Sequence, residues 1–138
     1  MNETTLRGQC LCGAVKYEVT GVPTRFYHCH CKRCRKATGT GHASNLFLDP
    51  GVLRWLSGEE QIGFYKVPEA QRFANAFCRL CGSRLPRQAM DSGPVVIPAG
   101  SLDDEPALVP QAHIFWDSRA SWSCGGDGLP VYPEYAPR

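Results

Sequence analysis

The sequence predicts an all-β protein built from antiparallel strands with short connections. Glycine (14 residues) and proline (11 residues) are scattered through the 138 residues, and they divide the chain into short segments. Several of these segments alternate apolar and polar residues, and no long stretch repeats apolar residues at helical spacing. Short alternating segments are typical of strands that bury one face.

The alternating segments give the expected strands in chain order. Residues 15–19 alternate valine and tyrosine with charged residues between two glycines, which indicates a half-buried strand. Leucines and a tryptophan flank the turn signal at residues 49–51, which suggests a hairpin or a corner. Four further strands are expected over residues 62–67, 72–77, 94–98 and 113–116. One short helix is expected over residues 32–38, ended by Gly39.

Length and charge limit the possible classes of function. A chain of 138 residues is long enough for one domain with its own core, and we expect a single domain over residues 1–138. The net charge of +2 provides no global field for nucleic acid. No apolar run is long enough for a membrane helix, and residues 1–7 do not resemble a signal peptide. We therefore expect a cytoplasmic protein whose eight cysteines stay reduced, with neither nucleic acid nor membrane as a partner.

Three cysteines stand within six positions as C-x-C-x-x-C, namely Cys29, Cys31 and Cys34. Thiolates are soft ligands that favour zinc, copper(I) or iron–sulfur clusters. A disulfide within this set is disfavoured, because such short spacings close small rings that stabilise a fold poorly. The motif predicts a metal site, with zinc as the expected metal.

A second set of cysteines is split between two distant parts of the chain. Cys10 and Cys12 stand before one glycine, and Cys78 and Cys81 stand before another. Together they supply four thiolates, the closed tetrahedral set of a structural zinc site. A metal held this way would tie the start of the chain to a late strand, and closing so long a loop should stabilise the fold strongly.

The set at residues 29–34 has only three thiolates, which leaves a coordination position for a substrate or for another side chain. His28 and His30 alternate with these cysteines, so in an extended strand they point away from them. The other two histidines, His42 and His113, are distant in sequence and stay open as ligands. Cys124 could also be a ligand, although a free thiol on a late loop is the favoured reading.

The charge of the three-thiolate set indicates its chemistry. Zn²⁺ with three thiolates carries a formal charge of −1, so it activates water weakly and suits a soft fourth ligand such as a thiolate. The neighbouring basic residues could offset the added charge and could attract an anionic thiol such as glutathione. These residues are Lys32, Arg33, Arg35 and Lys36.

Four motifs, at residues 8–17, 29–39, 77–83 and 113–122, together resemble the glutathione-dependent formaldehyde-activating enzyme family, whose domain is shared with centromere protein V. The resemblance runs from about residue 8 to residue 130. It implies an antiparallel β-tent fold. It also implies a structural zinc on the four-cysteine set and a second, catalytic zinc on the three-cysteine set, which makes two zinc ions per chain.

The family resemblance implies an enzyme that joins formaldehyde to glutathione, which is formally a carbon–sulfur lyase acting in reverse. In that hypothesis His28, His30 or Lys32 would supply a proton to the new alkoxide. A second hypothesis is a module that carries a thiol or its aldehyde adduct without catalysis. A third is a protein-interaction domain in which both zinc ions are structural.

Overall fold

The computed structural model of the protein describes residues 2–88, 93–123 and 128–138. Within these residues the chain forms nine strands and one α-helix, so the predicted all-β class is confirmed. The elements in chain order are β1 (Thr4–Gln9), β2 (Lys16–Cys29), α1 (Lys32–Thr38), β3 (Ala43–Ser57), β4 (Ile62–Lys66), β5 (Ala74–Cys78), β6 (Arg84–Leu85), β7 (Arg87–Gln88), β8 (Val95–Pro98) and β9 (Ala112–Ile114). Single 3₁₀ turns occupy Glu59–Gln61, Ala99–Ser101 and Trp116–Ser118.

The larger sheet is organised around the long strands β2 and β3. Its strand order is β1-β2-β3-β8-β7, and β9 lies beside β2. All of these pairs are antiparallel except β2 with β9, which is parallel. Strand β1 pairs with the first part of β2, whereas β9 pairs with its last three residues. The last part of β2 is therefore held between β3 and β9.

The smaller sheet has the order β4-β5-β6, and all of its pairs are antiparallel. Its inward side chains join the main core with those of the larger sheet. Ala76, Cys78 and Leu85 come from the smaller sheet and pack with Leu46 and Ile97 of the larger one. The alternation expected at residues 15–19 is also present, because the odd-numbered residues are buried and the even-numbered ones are not.

Two local features bear on the sequence predictions. Helix α1 has the expected bounds and ends at Gly39, whose N–H donates to the carbonyl of Arg35 over 2.8 Å. The turn signal at residues 49–51 lies inside the continuous strand β3, so no hairpin forms there. No helix in the described part of the chain is long and apolar enough to cross a membrane.

Candidate metal centres

The first candidate centre brings together four thiols from the two sheets. Cys10 and Cys12 follow β1, Cys78 is the last residue of β5, and Cys81 lies in the turn after it. All four sulfur atoms lie within 4.8 Å of one another. The structure therefore places these four predicted residues in one cluster, at a junction between the larger and the smaller sheet.

The two halves of this cluster have the same backbone form. The N–H of Gly13 donates to the carbonyl of Cys10 over 3.0 Å, and the N–H of Gly82 donates to that of Cys78 over 2.8 Å. Both glycines have positive φ angles, +79° and +78°. Each half is thus a tight turn that points two thiols at the same point, as a chelating pair requires.

Neighbouring donors favour the thiolate form of two thiols of this cluster, Cys10 and Cys81. The Ser83 hydroxyl and backbone N–H bond to Cys81 and lower its pKa to about 5. The backbone N–H of Val15 donates to the sulfur of Cys10 over 3.3 Å. Hydrogen bonds to an ionised sulfur stabilise the charged form, and the thiolate is the form that binds metal.

The geometry of the four thiols fits a tetrahedral metal ion. The sulfur of Cys12 lies 3.7 Å from that of Cys10 and 3.9 Å from that of Cys78. Zinc–sulfur bonds of about 2.3 Å give a tetrahedron with edges of about 3.8 Å. The sulfur separations match this edge, so the cluster has the size of a closed four-thiolate site.

The second candidate centre lies where β2 meets α1. Cys29 is the last residue of β2, Cys31 caps the N-terminus of α1, and Cys34 lies in the first turn of the helix. The three sulfur atoms lie within 4.8 Å of one another. No histidine, carboxylate or further thiol of the described residues joins this group, so the cluster has three protein ligands in that part of the chain.

The three thiols share their protons unequally. The pKa of Cys29 is lowered to about 6, because the thiol of Cys34 hydrogen-bonds to its sulfur, and burial opposes this effect only in part. The pKa of Cys34 is raised by the same interaction and by burial. The backbone N–H of Cys34 donates to the sulfur of Cys31 over 3.3 Å. A cluster that already holds one thiolate at neutral pH is prepared to bind a cation.

The three-cysteine cluster opens into a cleft of about 470 Å³, which we call the cysteine pocket. This volume is in the range of small-molecule sites. Its remaining wall is largely apolar and aromatic, with Tyr27, Phe47, Phe73, Ile114 and Phe115 among the lining residues. None of the four cysteines of the first centre lines this cleft. The three-cysteine cluster therefore faces a space that a small molecule could occupy.

Phe115 forms part of the rim in an unusual backbone conformation. Its φ angle of +54° lies in the left-handed region, and its side chain is exposed. Non-glycine residues adopt this region at some energetic cost, and such residues are frequent at binding sites. The strand β9 ends there, so the next residues leave the sheet beside the pocket.

The basic residues of α1 do not all face the pocket. Lys32 and Arg33 line it, whereas Arg35 donates from Nη1 to the carbonyl of Ser118 over 3.0 Å. Lys36 is exposed and does not line the pocket. The sequence analysis missed a third cation in the wall, Arg87 of β7. Arg87 lies more than fifty residues from the cysteines, so no local motif could have indicated it.

All four histidines of the chain meet on the other face of β2. The ring centroids of His28 and His42 are 4.1 Å apart, and those of His30 and His113 are 5.0 Å apart. Burial lowers the pKa of His28 and of His30, and the neighbouring imidazoles lower it further. Neither His28 nor His30 lines the cysteine pocket, which removes the geometric support for either as its proton donor.

The sequence left His42 and His113 open as a fourth ligand of the three-cysteine cluster. In the structure both belong to the histidine group and not to that cluster. Cys124 lies outside the described residues. His28 and His30 flank Cys29 in the sequence, and strand alternation points their side chains away from it. In the sheet, Cys29 pairs with Ala43 and Ile114, whereas His28 pairs with Ser44 and His113.

An antiparallel β-fold that carries one closed and one open cluster of thiols is typical of cysteine-ligated metalloproteins. The family model described as "Glutathione-dependent formaldehyde-activating enzyme" matches residues 5–118, most of the chain. The chain belongs to that family. The match spans both candidate centres.

Two further comparisons agree with this assignment. A Halomonas elongata protein named "Putative glutathione-dependent formaldehyde-activating enzyme" is 32% identical over 128 residues, covering 85% of this chain and 78% of that protein. A crystal structure of a Rhodobacter sphaeroides protein matches with a TM-score of 0.57 at 24% identity, covering 78% of this chain and 99% of the other. The structural match supports the fold.

Proposed function

We propose that this protein joins a small thiol, in the family's case glutathione, to a small aldehyde such as formaldehyde. The observation that carries the proposal is the three-thiol cluster of Cys29, Cys31 and Cys34, which opens into a cleft of about 470 Å³. Family membership supports glutathione and formaldehyde as the reactants. In enzyme terms the activity is that of a carbon–sulfur lyase acting in the direction of adduct formation.

Two zinc ions per chain belong to this proposal. Cys10, Cys12, Cys78 and Cys81 would hold a structural zinc, and the three cysteines of the pocket would hold the second. When bound in the pocket, zinc would supply a Lewis-acidic centre that keeps a substrate thiol ionised near neutral pH. The main core also supports one domain over residues 1–138, because it contains side chains from both sheets.

The proposed reaction forms one carbon–sulfur bond and transfers one proton. The thiolate sulfur attacks the carbonyl carbon, a carbon–sulfur bond forms, and the electron pair of the C=O π bond moves to oxygen. The proton released by the thiol ends on that oxygen, which gives the hydroxymethyl adduct. Lys32 lines the pocket and carries the transferable proton, whereas His28 and His30 lie on the other face of the sheet.

The aromatic side chains of the pocket wall have a different role from that of the thiols. Tyr27, Phe47 and Phe73 line the space next to the thiols, and we expect their aromatic surface to limit its water content. Formaldehyde in water is mostly hydrated, so a partly dry pocket favours the carbonyl form that a thiolate can attack. The thiol and the aldehyde are also held together there, which replaces a chance encounter by an oriented one.

The test measures exchange between formaldehyde, glutathione and their adduct by NMR at catalytic protein concentrations. We expect the protein to accelerate the exchange above the rate in buffer, and the Cys34→Ser variant to lose the acceleration. The matched control is Lys36→Ala, which changes an exposed residue of the same helix that does not line the pocket. If glutathione binds but the exchange rate equals that in buffer, the protein is a carrier and the enzymatic proposal is wrong.

A further inference from the structure

Two arginines near the cysteine pocket, Arg84 and Arg87, have no acidic partner in the part of the chain that the structure describes. Arg84 lies in β6 of the smaller sheet and Arg87 lies in β7 of the larger sheet, separated by the buried Pro86. Neither forms an ion pair with any carboxylate of the described residues. Elsewhere in the larger sheet, Arg7 and Arg54 both pair with Glu18, which is how this fold usually satisfies such cations.

The hydrogen bonds of the two guanidinium groups are also incomplete. Nη2 of Arg84 donates to Oδ1 of Asn75 over 2.7 Å, but its Nη1 is buried with no partner. The side chain of Arg87 is half-buried and forms no hydrogen bond with residues 2–88, 93–123 and 128–138, and its guanidinium nitrogens remain accessible to water. Because Arg87 lines the cysteine pocket, its N–H groups are available to an anion that enters there.

The charges around this pair point to the pocket. Burial lowers the pKa of Arg87, and the nearby charge of Arg84 lowers it further, while the side chain of Cys34 opposes both effects. Burial also lowers the pKa of Arg84, and the side chains of Cys34 and Cys31 oppose this effect. Both guanidinium groups are therefore close enough to the three-cysteine cluster to interact with it electrostatically. Arg87 lines the cysteine pocket, whereas Arg84 does not line it and has a buried Nη1.

The chemistry of the donors identifies the class of anion. A guanidinium presents paired N–H groups that match the two oxygens of a carboxylate, whereas a sulfur atom accepts only weak hydrogen bonds. The thiols can balance part of the positive charge, but they cannot accept the paired hydrogen bonds that a guanidinium donates. Lys32 and Arg33 also line the pocket, but they are exposed and remain available to water.

We infer that Arg87 is a specificity-determining residue that binds a carboxylate of the thiol substrate, with the nearby Arg84 adding positive potential. The inference rests on the proposed function, because it concerns the thiol that enters the same pocket. It restricts that thiol to molecules that carry a carboxylate within reach of the sulfur. Neutral and amine-bearing thiols of similar size would enter the pocket without this contact.

The test compares glutathione with its diethyl ester, which keeps the thiol and the amine but has no carboxylate. Binding to the metal-loaded protein is measured by calorimetry. We expect the wild type to bind glutathione about tenfold or more tightly than the diester, because a hydrogen-bonded charge pair has this magnitude. Arg87→Ala should remove most of that preference by weakening glutathione alone, and Arg87→Lys should retain part of it.

Lys36→Ala is the matched control, because it removes one positive charge from α1 outside the pocket and should leave the preference unchanged. Equal affinities of the wild type for acid and ester would overturn the inference and leave the proposed function standing. Equal weakening of both ligands by Arg87→Ala would also overturn it. If neither glutathione nor its diethyl ester binds, both the inference and the proposed function are wrong. If Arg87→Ala does not fold, the inference is tested by comparing the binding of glutathione and its diethyl ester to the wild type and to Arg87→Lys.

Discussion

Nε2 of His30 lies 2.8 Å from Nδ1 of His113, on the face of the larger sheet that lies opposite the cysteine pocket. His30 is fully buried, and its backbone N–H also donates to the carbonyl of Ile114 over 3.0 Å. Two hydrogen bonds thus fix the residue between Cys29 and Cys31 to β9. His30 therefore helps to position the cysteines without facing the pocket.

This contact predicts the effect of removing His113. His113→Ala leaves one nitrogen of the buried His30 without its partner, which should lower the free energy of unfolding by about 1–2 kcal/mol. The metal of the three-cysteine cluster should also bind more weakly, because the backbone between Cys29 and Cys31 loses a support. Urea unfolding and metal-competition titrations measure the two effects.

His42→Ala is the control for the histidine contact. Its imidazole packs against those of His28 and His30 but makes no short hydrogen bond to either. The His42→Ala substitution should lower the free energy of unfolding by less than His113→Ala does, and it should leave metal affinity nearly unchanged. A larger loss for His42→Ala would mean that ring packing, and not the hydrogen bond, holds this region.

The sequence predicted the fold class because most strands carry an alternating pattern of their own. Strand β1 was not assigned, since its inward positions are Leu6, Gly8 and then Cys10, of which only the first is strongly apolar. Gly8 is required by packing: a Cβ there would collide with the Tyr17 hydroxyl and the Ser101 carbonyl. Strands β6 and β7 have two residues each, too few for any periodicity.

The two cysteine clusters could be predicted for a different reason. Chelating pairs need short spacing, so each half of a metal site is visible locally even when the halves are distant. Arg87 has no such signal, because it reaches the wall of the pocket only through the packing of the sheets. The histidine group was also hidden, since His42 and His113 join His28 only once β3 and β9 flank β2.

The two clusters should respond differently to loss of one thiol. Cys78→Ser removes a ligand from the cluster that joins the two sheets, so metal-binding energy that supports folding is lost. We expect its melting temperature to fall by about 10 °C or more, and that of Cys34→Ser by only a few degrees. Differential scanning calorimetry with metal analysis of both variants measures this. Equal destabilisation would contradict the division of the cysteines into a structural and an open site.

The hydroxyl of Tyr17 should make stability depend on alkaline pH. It is buried and lies 2.6 Å from Oγ of Ser101, and burial raises its pKa from 10.0 to about 12. Between these values the unfolded chain loses the proton and the folded chain keeps it, so stability falls as pH rises. The loss should reach about 2–3 kcal/mol by pH 12.

The Tyr17→Phe variant tests the source of this pH dependence. It should be less stable than wild type at pH 8 by about 1 kcal/mol, since the hydrogen bond to Ser101 is gone. Its stability should then fall less steeply above pH 10, so that the two curves approach each other. Urea unfolding at several pH values gives both curves, and parallel curves would exclude Tyr17 as the titrating group.

Lys32 and Lys36 lie one helical turn apart on α1, but only Lys32 lines the cysteine pocket. Lys32→Ala should slow adduct exchange at least about tenfold, because the proton carrier is lost. Both variants should keep the metal of the pocket and the wild-type melting temperature, since both side chains are exposed. NMR exchange measurements on the two variants compare them directly, and equal rates would remove Lys32 from the mechanism.

Removal of metal by a chelator should proceed in two steps. The three-cysteine cluster faces a cleft and has one ligand fewer, whereas Cys10 and Cys78 of the other cluster are buried and belong to different sheets. We expect a mild chelator to take one equivalent while the far-ultraviolet circular dichroism stays unchanged. The second equivalent should leave only with loss of folded structure, because its binding energy supports folding. Glutathione at millimolar concentration should slow the first step alone, since a fourth sulfur ligand completes that coordination. A single step, or protection of the second equivalent instead of the first, would show that the open cluster is not where the thiol binds.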